Sequence, residues 1–286
     1  MKLSVVIVTY YPNIEEVKEN ILQFIDFVEK IIIWENTPIQ DLYLHNVDLS
    51  SYAEKVICLG VGYNVGIGFA LNQAIVWSKE HCMSHIMTMD QDSKFEKGSL
   101  EILLNAVQVH NKEGICIFSP NVINFFSKSL TPLYNENENL LIVDRSITSG
   151  TIYQLDIFNI TGYFREDFFI DEVDYEYCYR ATKKGFKTVV VCNSILSQKF
   201  SDMRHTNFGF YITNYSPFRL YHIIRNGLIV QKEYPDSSPG WYRLIVYSII
   251  IRSIKILLFE KNKIPKMKSI IIGIYDGVLN HVYERK

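Results

Sequence analysis

Apolar and polar positions alternate along the first half of the chain in two distinct rhythms. Residues 3–8 (Leu-Ser-Val-Val-Ile-Val) form an apolar, β-branched run of strand length, and Ile14, Val17, Ile21, Leu22, Ile25 and Val28 then recur at three- and four-residue steps, one face of an amphipathic helix. Residues 31–34 predict a second buried strand and 56–59 a third. A helix follows from about Gly66 to Lys79 with Ile67, Ala70, Leu71, Ala74 and Ile75 inward, then a strand over 85–89, a helix over 99–110 and a strand over 115–119. Strands alternating with helices in this way predict an α/β fold, a mainly parallel sheet covered on both faces. Ligands of such sheets bind beyond the carboxyl ends of the strands, so the polar residues directly after each strand are the ones to inspect.

Composition changes this picture little. The 286 residues are 48% apolar and 21% charged, enough for a sizeable core. A net charge of -2 gives no case for nucleic-acid binding. Five scattered cysteines without CxxC spacing argue against a disulfide framework or a thiolate zinc site, and a reducing cytoplasm suits them. The apolar run after Lys2 is too short for a signal core. Charge placement is more telling. From Trp241 onward nine Lys/Arg face three Asp/Glu, against 20 and 28 in residues 1–240. We therefore divide the chain into an acidic main domain over 1–235 and a basic, apolar helical extension over 236–286. Residues 241–258 are strongly apolar but contain Arg243, Arg252 and Lys255, which disfavours a spanning helix. They form either a core helix or an interfacial one, with Lys261, Lys263, Lys266 and Lys268 toward an anionic membrane surface. Residues 135–139 (Asn-Glu-Asn-Glu-Asn) look like a surface loop.

Three segments could carry chemistry. Asp90-Gln91-Asp92 follows a strand, where two carboxylates could grip Mg²⁺ or Mn²⁺ with a diphosphate, or could simply cap a loop. Residues 168–180 hold Asp171, Glu172, Asp174 and Glu176 within six positions. Glu176 and Arg180 are spaced as an i,i+4 pair on a helix beginning near Val173. The remaining acids either cap that helix or crowd one another into a general base. Gly62, Gly66 and Gly68 precede a helix without GxGxxG spacing, which disfavours a dinucleotide-binding dehydrogenase. There is no HExxH and no GxSxG.

Taken in order, these pieces resemble the family 2 glycosyltransferases of GT-A fold, most nearly the bacterial rhamnosyltransferase-like branch. The matching residues run from Val5 to Tyr10, Trp34 to Thr37, Asn64 to Gly68 with Asn72, Met89 to Ser93, and Ser149-Gly150. They continue from Phe169 to Glu176 with Arg180, from Ser216 to Tyr221 with Arg225-Asn226, and through Gly273 and Gly277. The resemblance implies that Thr9, Tyr10, Glu35, Asn36, Asn64, Gly66, Asn72, Asp90 and Gly150 hold a nucleotide sugar. Asp92, with Asp90, would bind the divalent ion. Asp174 would be the general base, with Asp171 the second choice. Gln198 stands about where the family's metal-binding His belongs, His205 could substitute for it, and Glu35 replaces the usual Asp. The implied reaction is inverting transfer from a nucleoside-diphosphate sugar to a hydroxyl of a bacterial surface-glycan precursor. dTDP-rhamnose is the favoured donor, a UDP-sugar the other candidate, and the acceptor could be lipid-linked. A nucleotidyltransferase is the enzymatic alternative, although residues 9–12 (Thr-Tyr-Tyr-Pro) lack its Gly-rich loop. A non-catalytic carbohydrate-binding protein is the other.

Overall fold

The structure is a computed structural model that describes residues 1–41, 52, 54–110, 114–124, 139–198, 204–205 and 211–280. Strands β1 (Leu3–Thr9), β2 (Lys30–Glu35), β3 (Val56–Gly60) and β4 (His85–Asp90) pair in parallel in the order β3-β2-β1-β4. Beyond β4 the sheet continues through β8 (Thr151–Gln154), which runs antiparallel to both its neighbours, to β6 (Ile115–Asn124) and β9 (Lys187–Gln198), which pair in parallel. The outer edge of β9 carries β7 (Leu140–Val143) along its first half and β5 (Ser93–Phe95) at its end, both antiparallel. The sheet is thus mainly parallel, as expected. Residues 93–95, to which the sequence pattern assigns no strand, pair with residues 196–198.

Alternation along the central strands divides the core in two. Val6 and Ile32 face one side, where α2 (Ile67–Glu80) contributes Ala70, Leu71, Ala74 and Ile75, and α5 (Val173–Lys183) contributes Tyr177 and Tyr179. Val5, Ile7, Ile31 and Ile33 face the other, against Val17, Ile21 and Phe24 of α1 (Ile14–Phe24) and Leu100, Leu103, Leu104 and Val107 of α3 (Ser99–His110). This is the period-two signature of strands buried on both faces. α1 departs from its predicted face at one position: Leu22 is exposed and Phe24 takes the inward place. Asn13 caps this helix by accepting from the Glu15 amide.

After the short helix α4 (Ile157–Thr161), α5 and β9, the antiparallel pair β10 (Arg204–His205) and β11 (Tyr211–Ile212) precedes α6 (Pro217–Glu233). Ser216 caps α6, and proline occupies its first position. A π-helical segment, Arg243–Ile251, continues into α7 (Arg252–Phe259), and α8 (Lys263–Leu279) returns along α6. Leu220, Ile224 and Leu228 of α6 share a core with Ile256 and Ile270. Gly273 and Gly277 make this close: a Cβ at either would meet a backbone oxygen of α6 at 2.9 Å. Lys266 and Glu260, both buried, pair at 2.7 Å beneath α8. The basic extension is therefore packed on α6 by a core of its own. Most of the 135–139 loop lies outside the described residues.

Candidate active site

A cleft of about 710 Å³ opens at the carboxyl ends of β1 and β4, beneath the C-terminal helices. Tyr10, Asn36, Asn64, Gly66, Asp90, Asp92, Asp171, Asp174 and Gln198 line it. Residues as far apart in sequence as Tyr10 and Gln198 thus share one cavity. The parallel register explains the convergence. Thr9 is level with Glu35, and Val8 with Asp90, so β1, β2 and β4 end together and their next residues emerge on one rim.

The first side of the cleft is fixed by side chain to backbone bonds. Gln91 accepts from the Tyr10 amide (2.8 Å) and donates to its carbonyl (3.2 Å), locking the β1 and β4 ends together. Asn36 accepts from the Val65 amide and the Trp34 indole, both at 3.2 Å, and Asn64 accepts from the Gly66 amide at 2.9 Å. Gly66 is required here: its φ is +81°, and a Cβ would strike the Phe169 carbonyl at 2.7 Å. Four of the expected nucleotide-sugar residues lie outside the cleft lining. Thr9 is fully buried, its hydroxyl donating to the Trp34 carbonyl (3.2 Å). Glu35 is buried with Oε1 accepting from the Thr37 amide (2.8 Å), while Oε2 is sealed without a partner. Asn72 pins the 164–166 segment, donating to Phe164 O and Glu166 Oε1 and accepting from the Phe164 amide, each at 2.9 Å. Gly150, at φ +75°, packs under Pro120, and its amide donates to Thr88 O at 2.8 Å.

The second side is acidic and strained. Phe169, Asp171 and Glu172 all adopt left-handed backbone conformations, at φ near +61° to +64°, a cost that clusters at functional sites. Asn226 holds this segment: its amide donates to the carbonyls of Phe168 (3.0 Å), Ile170 (2.9 Å) and Asp171 (3.0 Å). Arg225, fully buried beside it, donates to Asp167 O and Asn226 Oδ1. Asp171 is gripped by Arg219 through two bonds of 3.0 and 3.1 Å. Asp174 sits in the first turn of α5. Burial, the main cause, pushes its carboxyl up to about 6, although the Tyr175 amide opposes the rise by donating to it at 2.9 Å. Glu172 rises to about 8 through burial and then the neighbouring Asp174 and Asp171. Asp90 rises to about 7 through burial, then Asp92 and Asp174. Three carboxyls raised first by burial and further by neighbouring acids are suited to proton transfer or to a cation.

The donor set suits a hard cation. Asp90 and Asp92 offer carboxylates. Gln198 donates Nε2 to Asp90 Oδ2 at 2.7 Å, which leaves its own Oε1 buried and unpartnered. Among the described residues no cluster of three His, Cys, Asp or Glu is arranged to hold a metal. An ion there would draw on two carboxylates, an amide oxygen, and water or ligand oxygens, as Mg²⁺ and Mn²⁺ commonly do. His205 lies on β10.

Residues that sequence reasoning passed over complete the cleft. Arg219 lay inside a quoted motif with no role attached. Arg145, over the Tyr175 ring at 4.9 Å, and Arg252 had no motif at all.

No established family profile matches the chain. It is 27% identical to the dTDP-rhamnosyl transferase RfbF of Shigella flexneri, over 96% of this chain and 94% of that one. Its fold is similar to that of S. aureus TarS (residues 1–349) in complex with UDP-GlcNAc. The TM-score is 0.62 at 16% identity, covering 97% of this chain and 81% of that one. It is also similar to the mannosyltransferase PcManGT of Pyrobaculum calidifontis in complex with GDP-Man and Mn²⁺, with a TM-score of 0.56 at 10% identity, covering 99% and 76%. The chain thus has the GT-A fold and is similar to glycosyltransferases, in sequence most nearly to the rhamnosyltransferase-like ones.

Proposed function

We propose that the protein transfers a sugar, rhamnose by its similarity to RfbF, from a nucleoside diphosphate to an acceptor hydroxyl with inversion at the anomeric carbon. The observation that carries this reading is that Asp92 and Asp174 face one cleft. Tyr10, Asn36 and Asn64 lie on the side where the nucleotide would sit. Asp174 accepts the proton of the attacking hydroxyl, and a group poised near 6 is largely ionised at neutral pH yet basic enough to help. Asp90, Asp92 and Gln198 would hold the divalent ion, which when bound offsets charge on the leaving diphosphate. The acceptor is a glycan precursor.

Calorimetry of the full chain with Mn²⁺ against dTDP-rhamnose, UDP-glucose and GDP-mannose tests the donor. dTDP-rhamnose is expected to bind at least tenfold more tightly than the other two. Equal or absent binding of all three rejects the donor assignment.

We further propose that the C-terminal helices rest on an anionic membrane from the cytoplasmic side. No helix among the described residues is long and apolar enough to cross a membrane. Ile264 is nevertheless 83% exposed and Ile271 62%, and they share an apolar surface groove with Lys263 and Lys268, the composition of an interfacial face. Deleting 241–286 would uncover Leu220, Ile224 and Leu228, so substitution is the better probe. The double variant I264E/I271E is expected to lose flotation with phosphatidylglycerol liposomes while keeping its melting temperature. Undiminished flotation rejects the membrane face.

A further inference from the structure

The C-terminal wall of the cleft holds polar groups that the proposed chemistry does not use. Arg252 and Arg219 lie over the same ring, that of Tyr215, at 5.5 and 4.5 Å. Their charges are not answered alike. Arg219 has both oxygens of Asp171. The Nη1 of Arg252 is sealed from solvent and has no hydrogen-bond partner. Asp171 and Glu260 are the carboxylates whose fields reach Arg252, and they are already committed to Arg219 and to Lys266. A guanidinium nitrogen sealed from solvent without an acceptor is costly to keep.

Two neighbours repeat the pattern. Gln231, only 2% exposed, has an unpartnered buried Oε1, and Ser238 has an unpartnered buried Oγ. Both line the same cleft as Arg252, as does Arg243. A donor, an acceptor and a hydroxyl, all left over on one wall, fit a ligand that brings both negative charge and hydroxyl groups.

We infer that this wall is a subsite for a phosphate-bearing molecule, with Arg252 and Arg219 taking the phosphate oxygens and Gln231 and Ser238 taking adjoining hydroxyls. The inference rests on the transfer reaction proposed above only for the source of the phosphate, which is either the donor's diphosphate or a phosphate carried by the acceptor. Arginine suits the task because its fork can meet two phosphate oxygens at once. The site also gives residues 236–259 a place in the cleft, where sequence alone suggested packing or lipid contact.

The test is calorimetry of the full-length protein with inorganic pyrophosphate, in EDTA to silence the carboxylate site. R252M, which keeps an apolar stem of similar length, is expected to weaken pyrophosphate binding at least tenfold, and R252K by no more than about threefold. Thermal melts confirm that each variant is folded, and R252K serves as the folded control that retains the charge. A second arm separates the two sources. If R252M also weakens dTDP binding in Mn²⁺ tenfold or more, the subsite takes the donor's diphosphate. If dTDP binding is unchanged and dTDP-saturated wild type still binds pyrophosphate, the subsite takes the acceptor's phosphate. Wild type that fails to bind pyrophosphate, or R252M that binds both probes within twofold of wild type, overturns the inference. Failure of the donor screen alone would reject dTDP-rhamnose and leave the pyrophosphate result standing.

Discussion

D174N is expected to lower the rate of sugar transfer by about 10²–10⁴-fold, the usual contribution of a positioned general base, with nucleotide-sugar affinity within about threefold of wild type. The substitution is close to isosteric. The asparagine Oδ1 can still accept the Tyr175 amide that now binds Asp174 Oδ1 at 2.9 Å, so the first turn of α5 keeps its contact. The change removes the ability to take a proton, together with a charge that helps to hold the Asp90 and Glu172 carboxyls up. The pH profile gives the same role a second readout. Asp174 must be unprotonated to act, and its carboxyl stands at about 6, so wild-type kcat should hold steady above that pH and fall as pH drops through it. A divalent ion nearby moves that limb downward, because positive charge favours the carboxylate. Rapid-quench measurement at saturating donor checks both points. Wild-type turnover by D174N would remove Asp174 from the proton transfer.

The second large effect is on stability. Glu176 is nearly inaccessible and accepts three bonds: Arg180 Nε at 2.9 Å, Arg180 Nη2 at 2.7 Å and the Tyr234 hydroxyl at 2.8 Å. Arg180 spends its remaining nitrogen on the Thr161 carbonyl at 2.7 Å. E176A leaves a half-buried guanidinium and a phenol without their acceptor, a loss of about 3–5 kcal/mol for a buried pair broken on one side. For a domain of this size that is a fall of about 10 °C in Tm. Differential scanning calorimetry of the ligand-free protein should show it, and a change below 2 °C would mean that the network contributes little.

How much of this was legible depends on the range of the interaction. The Glu176–Arg180 pair could be read from spacing alone, because i,i+4 neighbours meet on any helix. The strands 3–9, 30–35 and 85–90 were equally plain, since burial on both faces writes an unbroken apolar run into the sequence. The pairing of residues 93–95 with 196–198 was not, because three residues carry no period and their partner lies a hundred positions away. Asn72 illustrates a different limit. Its place in a motif suggested contact with ligand, whereas its amide spans the gap to residues 164–166, a contact that only the tertiary fold creates. Arg252 sat in an apolar, basic stretch whose composition pointed outward to lipid. That one of its nitrogens turns inward is decided by how α7 follows the π-helical segment over α6.

The left-handed turn at Phe169, Asp171 and Glu172 has a consequence for anyone breeding this protein for endurance. Glycine relaxes such a backbone at once, worth about 1 kcal/mol per position, although at 171 it would also strip Arg219 of its carboxylate partner. A screen that rewards survival after heating, and nothing else, would therefore favour glycine at 172 before 171 and thin out the acids that line the cleft. Selection has to be coupled to product formation if they are to be kept.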